Sequence, residues 1–387
     1  MKKVVILGGG ASALLCACFA CKNAQVTILE QNEKVGKKIL ATGNGRCNLT
    51  NLNMGSFAFN QNVDNYLNQF SITQTIDFFK SLGLETYADD EGRVYPLSNS
   101  ATSVLDVLKN FLQKQKNVIL KTQVEVLDIK KEGTGYRIVT SKETEFCDNV
   151  VVALGNKANL NMFEKFNIKT KQFRPSLCAL KCKTDKTLAG VRVSGVQVSC
   201  NTKAFEFCEM GEVLFRQDGI SGIVIFNLSA YFARHGVTSQ KVIIDFLPQF
   251  DFEVLKNKLL ERKKLLNNYC AEEFLTGFLN RALNHVIIKN AKIKPDALVK
   301  DLTVEQIIAI CSQIKNHIFE ITGYLDNNQV FTGGVKLSEL TLMLESKQNK
   351  GLYFAGEVID VDGVCGGFNL QWAWTSANIV GNAIINK

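Results

Sequence analysis

The sequence has little of several features that would each point to a particular class of protein. Only four prolines occur in 387 residues, and no Pro- or Ser-rich stretch divides the chain, which excludes a long extended linker. No apolar run reaches the roughly 18–20 residues that a membrane-spanning helix needs, and no repeat of solenoid length is visible. The remaining composition, 46% hydrophobic and 21% charged, is that of a folded globular protein with two or three domains.

Histidine is also scarce, which argues against a histidine-ligated metal centre. His235, His285 and His317 are the three in the chain, and their spacing fits no common metal motif. The twelve cysteines show no regular pairing pattern. Lys2 and Lys3 lead directly into an apolar strand, where a signal peptide would need a longer apolar run and a cleavage site. We therefore expect reduced thiols, no bound metal, no membrane segment and a cytoplasmic location.

The formal net charge is +8, and much of the excess lies in one stretch. The basic residues concerned are Lys256, Lys258, Arg262, Lys263, Lys264, Arg281, Lys289, Lys292 and Lys294. Such a stretch is typical either of a solvated helix face or of a surface that follows nucleic-acid phosphates. Charge alone leaves both interpretations open.

The chain opens with an apolar strand and a glycine-rich turn, VVILGGGASA. In this Gly-x-Gly-x-x-Ala pattern, Gly8 permits the tight turn, Gly10 lets the backbone approach a pyrophosphate, and Ala13 allows close helix packing. The N–H groups at the start of the following helix attract phosphate. Glu30 ends the next predicted strand, where a carboxylate accepts hydrogen bonds from ribose hydroxyls and repels a 2′-phosphate. The pattern predicts a site for FAD or NAD rather than NADP.

A second glycine-rich helix start lies near the other end of the chain. An apolar run leads into Gly356 and Glu357, and further glycines precede Asn369. A carboxylate at the end of a buried strand can bind ribitol hydroxyls, and the N-terminus of the following helix favours an anionic flavin ring. Two such motifs separated by most of the chain are typical of a long cofactor held from both sides, which predicts FAD.

Residues 43–48 read Gly-Asn-Gly-Arg-Cys-Asn and are dense in glycine and amides. The backbone of such a loop can lie against a flat ring, and Arg46 can offset the negative charge of a reduced flavin or a phosphate. The alternative interpretation is a structural turn with a solvated arginine.

The middle of the chain predicts a change of architecture. Val150–Gly155 is a continuous apolar run, typical of a strand buried on both faces of a parallel sheet. Short β-like pieces between residues 174 and 248, among them Ile223–Phe226, predict an antiparallel sheet or small barrel, and residues 252–318 are strongly helical. The predicted domains are a discontinuous FAD-binding domain (1–165 and 325–387), an inserted β-barrel-like domain (166–250) and a helical subdomain (251–324).

Five segments occur together in a characteristic order: Gly36–Asn51, Gly92–Pro96, Asp218–Gly222, Phe331–Val335 and Gly356–Gly363. In that order they closely resemble the YhiN/BaiN flavoprotein family, NAD(P)/FAD-dependent oxidoreductases of the aminoacetone-oxidase type. The resemblance covers nearly the whole chain. It implies an α/β fold with a glutathione-reductase-like FAD-binding Rossmann domain, an inserted β-barrel and a helical subdomain.

The resemblance also implies an activity, the transfer of hydride from reduced FAD to an activated C=C bond. NAD(P)H is the expected electron donor, as a transient reductant, because no second Gly-x-Gly-x-x-Gly with strand context is present. The acceptor is a small molecule or, alternatively, a uridine of large-subunit ribosomal RNA that the basic stretch would contact. A third hypothesis is a non-catalytic flavin-binding redox sensor, because the segment after Gly155 departs from the family pattern.

The motifs and the resemblance together predict the residues of the site. The expected cofactor-binding residues are Gly8, Gly10, Ser12, Ala13, Glu30, Lys38, Gly43, Asn44, Gly45, Arg46, Cys47, Asn48, Val124, Ala153, Gly155, Gly356, Glu357, Gly366, Gly367, Phe368, Asn369 and Leu370. Reducing an enone or a uracil needs a proton as well as a hydride. Arg46, Cys47 and Cys365 are therefore the candidate catalytic residues, and Cys47 fits if its thiol is exposed and poised by Arg46. A buried structural role is the alternative for both thiols.

Overall fold

The computed structural model describes residues 1–325 and 330–385. Its strands are β1 (Lys2–Leu7), β2 (Ala24–Glu30), β3 (Thr50–Asn51), β4 (Thr86–Ala88), β5 (Arg93–Pro96), β6 (Val118–Thr122), β7 (Val126–Glu132), β8 (Gly135–Thr140), β9 (Thr144–Cys147), β10 (Asn149–Val152), β11 (Thr170–Ser176), β12 (Leu180–Cys182), β13 (Arg192–Asn201), β14 (Glu206–Arg216), β15 (Gly219–Ser221), β16 (Gln240–Asp245), β17 (His317–Tyr324), β18 (Val330–Val335) and β19 (Leu352–Phe354). Its α-helices are α1 (Ala11–Ala20), α2 (Lys37–Ala41), α3 (Asp64–Leu67), α4 (Ile72–Ser81), α5 (Ala101–Gln113), α6 (Ile223–His235), α7 (Phe252–Leu265), α8 (Arg281–Asn290), α9 (Val304–Lys315) and α10 (Phe368–Ile385).

A five-stranded parallel sheet organises the two ends of the chain, in the order β19-β10-β1-β2-β6. β10 is buried along its whole length, as expected for a strand covered on both faces. Because β1 has β2 on one side and β10 on the other, the strand order reverses at β1. A crevice therefore opens at the carboxyl ends of these strands, where doubly wound sheets bind their ligands.

Two apolar helices pack against each other beside this sheet. α1 is built mainly of alanine, cysteine and leucine and is buried over almost its entire surface. These small side chains let α10 approach closely, and a Cβ added at Gly381 would lie only 2.6 Å from the Cβ of Phe19. Cys16 and Cys18 are buried in this contact, so they serve as small packing residues.

The middle of the chain forms a closed barrel in the order β12-β15-β14-β13-β16-β17. The barrel and helices α6 to α9 share one hydrophobic core. β17 lies within residues 251–324, the range predicted as helical, so barrel strands precede and follow the helices in sequence.

The expectation of a β-like piece at Ile223–Phe226 was wrong, because these residues form the first turn of α6. The run Ile-Val-Ile-Phe is β-branched and apolar, and such a short run does not distinguish a strand from a buried helix. Gly222 (φ +114°) turns the chain out of β15, and Gly236 (φ +70°) ends the helix in the left-handed conformation, which favours glycine. The helix forms because its apolar residues pack on the barrel core.

The chain divides into two compact units, residues 1–174 with 329–387 and residues 175–328. The parallel sheet, α1 and α10 belong to the first unit, and the barrel with α6 to α9 belongs to the second. The predicted α/β class, with a Rossmann-type sheet and an inserted barrel, is confirmed, whereas the three predicted domain ranges stay predictions. Across the described residues, no helix combines the length and the hydropathy that crossing a membrane requires.

Candidate functional site

The first glycine motif forms the turn between β1 and α1, as its sequence predicts. The Gly8 N–H donates to the Leu29 carbonyl at 2.7 Å, and Gly8 has a φ of +103°. A Cβ added at Gly8 would lie 2.5 Å from the Ala153 carbonyl oxygen, whereas nothing lies within 4 Å of one added at Gly10. Gly8 is therefore required by the fold, and Gly10 faces open space in front of the first turn of α1.

Glu30 ends β2 at the same edge of the sheet and is almost fully buried, at 8% exposure. Its carboxylate accepts hydrogen bonds from the Gly9 N–H at 2.7 Å and the Asn32 N–H at 2.8 Å. The Val124 N–H donates to the Glu30 carbonyl at 2.9 Å. These contacts fix the carboxylate beside the glycine turn, where the βαβ pattern predicts a ribose.

The second glycine motif meets the first directly. The Ser12 hydroxyl of α1 donates to the Ala355 carbonyl at 3.4 Å. A Cβ added at Gly356 (φ +76°) would lie 2.5 Å from the Ser12 Oγ. Two segments more than 340 residues apart are thus held together at one crevice, and the structure brings both sets of predicted residues into one unit.

Glu357 is the next residue after Gly356 and has several polar neighbours. Its carboxylate pairs with Lys38 and accepts the Phe331 N–H at 3.0 Å. The Lys38 ammonium also donates to the Asn156 side chain at 2.9 Å. A Cβ added at Gly155 would lie 3.1 Å from the Glu357 carboxylate. The ion pair is partly exposed, so its charges are open to a ligand.

Residues 42–48 form a tight loop with unusual backbone geometry. Gly43, Asn44, Gly45 and Cys47 all have positive φ, at 56°, 54°, 83° and 61°. Left-handed conformations cost energy for residues other than glycine and cluster at functional sites. A Cβ added at Gly45 would have nothing within 4 Å, and Arg46 is exposed.

The start of α10 closes the other side of this loop. Gly367 (φ +99°) packs so tightly that an added Cβ would lie 2.6 Å from both the Asn48 Oδ1 and the Thr50 carbonyl oxygen. Asn369 exchanges two hydrogen bonds of 2.9 Å with the backbone of Gly363. The predicted residues at this end of the site are Gly366, Gly367, Phe368, Asn369 and Leu370.

Buried Asn48 supplies an observation that bears on the cofactor. It is 8% exposed, yet its Oδ1 has no hydrogen-bond partner among residues 1–325 and 330–385. A buried polar atom without a partner is costly, and a flavin edge carries an N–H group that would donate to this oxygen. With the open spaces at Gly10 and Gly45, the residues fit FAD.

The two candidate thiols have different environments. Cys47 is fully buried, and burial raises the pKa of its thiol to about 12, so it does not meet the condition of an exposed, activated thiol. Cys365 is only partly buried. Desolvation raises the pKa of its thiol to about 11, with opposing effects from Arg93 and Glu91.

We expect alkylation of the native protein to follow these environments. Cys208 is exposed and should react with iodoacetamide first, while Cys47 should react only after unfolding, because its thiol is both buried and protonated. Mass spectrometry of peptides from native and urea-unfolded samples measures the order. Rapid labelling of Cys47 in the native protein would contradict it.

Part of the basic stretch of the second unit is engaged in internal contacts. Arg262 and Lys263 donate to backbone carbonyl groups of nearby loops. Lys256 pairs with a glutamate, and Lys289 pairs with Asp185 at 2.7 Å. These four side chains therefore have structural contacts within the second unit. In the described part of the chain, no cluster of three or more His, Cys, Asp or Glu residues could hold a metal ion.

Several residues at the site are not among the predicted site residues. Tyr95 contacts Arg46, Asn156 and Phe331 surround the Lys38–Glu357 pair, and Gln371 anchors α10. Tyr95 and Phe331 lie inside segments on which the family resemblance rests. The resemblance is therefore the signal that could have identified them as site residues.

Comparison with known proteins agrees with this geometry. The family described as "HI0933-like protein Rossmann domain" matches residues 2–383. The chain is 35% identical to a 3-dehydro-bile acid delta(4,6)-reductase of Clostridium scindens, over 100% of both chains. It is 29% identical to a ribosomal RNA dihydrouridine synthase of Escherichia coli, over 96% of this chain and 95% of the other.

Among solved structures, a 3-ketosteroid delta1-dehydrogenase from Sterolibacterium denitrificans has a similar fold. Its TM-score is 0.55 at 12% identity, and 100% of each chain is covered. At this identity the similarity concerns the fold alone.

Proposed function

Because the chain belongs to the HI0933-like Rossmann family and is an FAD-dependent oxidoreductase, we propose that it reduces an activated C=C bond of a small unsaturated carbonyl compound. NAD(P)H is the proposed electron donor. The observation that carries the proposal is the meeting of the two glycine motifs at Ser12 and Gly356, with Glu30 and Glu357 at the adjoining strand ends.

The residues of the first unit would hold FAD along its length. The N–H groups of the first turn of α1 would bind the pyrophosphate, and Glu30 would accept hydrogen bonds from the adenosine ribose. Lys38 and Glu357 would contact the ribitol, and the 43–48 loop with the start of α10 would enclose the ring. When bound, FAD supplies a two-electron, hydride-transferring group.

The chain's own residues would supply charge and a proton. Arg46 carries an exposed guanidinium that would stabilise negative charge developing during reduction. Cys365 is partly accessible, and its raised pKa of about 11 keeps its thiol protonated near neutral pH. Of the two predicted thiols, Cys365 therefore fits the role of proton donor to the carbon next to the hydride acceptor. Cys47 fits a packing role beneath the loop.

The bile-acid reductase relative supports a small-molecule acceptor. At 35% identity it is more similar to this chain than the Escherichia coli relative at 29%, and its name describes reduction of a 3-dehydro bile acid. The contacts of Arg262, Lys263 and Lys289 give these side chains structural roles, so the basic stretch is not by itself an argument for RNA. Small-molecule reduction is therefore the first candidate.

A uridine of ribosomal RNA is the second candidate acceptor, because two relatives named ribosomal RNA dihydrouridine synthase match 96% of the chain. Lys264 and Lys292 belong to the same basic stretch and could still meet phosphates. The chemistry would be the same in kind, since uracil presents a C=C bond conjugated to a carbonyl group.

One experiment separates these candidates. We expect the FAD-loaded chain, reduced anaerobically with NADH or NADPH, to add two hydrogens to a 3-oxo-4,6-diene bile acid, measured by mass spectrometry and by reoxidation of the flavin. A deletion strain and its complemented parent are then compared for dihydrouridine in ribosomal RNA. Loss of dihydrouridine from the deletion strain, without bile-acid turnover, would make the uridine the first candidate. The absence of both activities would contradict the proposed function.

A further inference from the structure

Tyr95 lies in the small antiparallel sheet beside the 43–48 loop and is 3% exposed. It stands directly opposite Tyr87 in the β4–β5 pair, and the two rings are 5.9 Å apart. The Arg46 guanidinium lies 4.5 Å from the centre of the Tyr95 ring. A Cβ added at Gly43 would lie 3.4 Å from the Tyr95 ring. The Tyr95 ring therefore lies close to the 43–48 loop at both Gly43 and Arg46.

The charge of Arg46 is uncompensated, unlike that of the neighbouring arginine. Arg93 pairs with Asp89 at 2.7 Å and with Glu91 at 2.9 Å. No carboxylate pairs with Arg46 among residues 1–325 and 330–385. Its side chain also donates a 3.4 Å hydrogen bond to the Gly43 carbonyl. Arg46 therefore keeps a full positive charge at the surface of the site.

An aromatic ring is suited to hold such a cation. A carboxylate would fix the guanidinium but would also cancel its charge, whereas a ring attracts the cation through its quadrupole and stays neutral. The loop itself restrains the exposed Arg46 side chain through one long hydrogen bond, the 3.4 Å contact with the Gly43 carbonyl. The Tyr95 ring supplies the missing restraint.

We propose that Tyr95 is a positioning residue, whose ring would hold the uncompensated charge of Arg46 at the site proposed for the flavin ring. The proposal rests on the FAD-dependent function above and assigns to Tyr95 the ring contact rather than its hydroxyl group. Arg46 acts on the negative charge of the reduced flavin, and Tyr95 acts through Arg46.

Sulfite binding to the FAD-loaded protein tests this proposal without turnover. Sulfite adds reversibly to oxidised flavins when a nearby cation stabilises the resulting negative charge, and bleaching of the flavin absorbance reports it. We expect Arg46→Met to weaken sulfite binding about tenfold or more. Tyr95→Leu should weaken it by about three- to fivefold, as expected for loss of an exposed cation–π contact. Tyr95→Phe keeps the ring and should retain most of the affinity.

The double variant Arg46→Met/Tyr95→Leu decides whether the two residues act together. If Tyr95 works through Arg46, the double variant binds sulfite no more weakly than Arg46→Met alone, since residues in one interaction are not additive. Tyr87→Phe is the matched control, because it removes a hydroxyl of the same sheet, one that donates to the Asn99 side chain at 2.6 Å. It should leave sulfite affinity unchanged.

The outcomes separate this inference from the proposed function. Additive losses, unchanged sulfite affinity in Tyr95→Leu, or a loss in Tyr95→Phe equal to that in Tyr95→Leu would each overturn the role of the ring. The last result would assign the effect to the hydroxyl group instead. A wild-type chain that takes up no FAD would overturn the proposed function and this inference with it.

Discussion

Replacing Gly10 by valine is expected to abolish FAD binding while leaving the fold intact. Gly10 has a φ of −83°, which valine adopts without strain, and a Cβ there would have nothing within 4 Å. The added isopropyl group would instead occupy the space where a pyrophosphate approaches the first turn of α1. We expect FAD affinity to fall at least about 100-fold, corresponding to roughly 3 kcal/mol of overpacking.

Two measurements on the same variant make this result specific. FAD titration by flavin fluorescence gives the affinity, and tryptophan fluorescence during urea unfolding reports the stability of the first unit. The chain has two tryptophans, Trp372 and Trp374, and both are buried in α10. An unchanged FAD affinity in Gly10→Val would show that the pyrophosphate does not lie here.

Gly8→Ala is the matched comparison, with the opposite expectation. Gly8 has a φ of +103° and its Cβ would lie 2.5 Å from the Ala153 carbonyl oxygen. We expect the free energy of unfolding to fall by about 3 kcal/mol or more from strain and overlap. Gly8→Ala should therefore lower the stability of the protein without FAD. Gly10→Val should keep the stability of the FAD-free protein and lose only the added stability that bound FAD gives.

Gln371→Leu is expected to give the largest loss of stability at a position that no ligand need touch. Gln371 is fully buried, and its side chain accepts from Thr50 at 2.7 Å and donates to Thr75 at 2.8 Å and Thr375 at 3.0 Å. It also donates to the Phe70 carbonyl at 3.3 Å. We expect leucine to lower the free energy of unfolding by about 2–4 kcal/mol, because it leaves the Thr50 hydroxyl buried without an acceptor.

The double variant Gln371→Leu/Thr50→Val tests that cause. Replacing both partners by apolar groups removes the orphaned hydroxyl, so the double variant should regain part of the stability lost in Gln371→Leu. Urea unfolding followed by tryptophan fluorescence measures both. A double variant that is less stable by the sum of the single effects would show that the loss comes from packing instead.

Local rules were enough to predict the geometry of the β1–α1–β2 unit, whereas the site residues on it stay predictions. Gly8, Gly10 and Glu30 have roles set by a single βαβ unit, so their spacing along the chain corresponds to their arrangement in space. The resemblance to the YhiN/BaiN flavoproteins is confirmed by the family match over residues 2–383. It also implied the inserted barrel in the middle of the chain, where the sequence pattern is less regular.

Long-range contacts account for what the sequence did not predict. The Lys38–Glu357 ion pair joins residues 319 positions apart, and the Arg46–Tyr95 contact depends on how β5 pairs with β3 and β4. No local pattern encodes either. The burial of Cys47 is similar, because its surroundings are assembled from distant segments, and Ile223–Phe226 became helical through packing on the barrel core.

The discontinuity of the first unit has a consequence for how the chain is made. During synthesis, α1 emerges early, but α10, which covers it, emerges only after the 175–328 unit. Until then the apolar surface of α1 lacks its partner and is open to aggregation or to chaperones, while the 175–328 unit can fold as a body of its own. Contacts of such high sequence separation also close slowly. The chain can therefore bind its cofactor only late, after α10 has been synthesised.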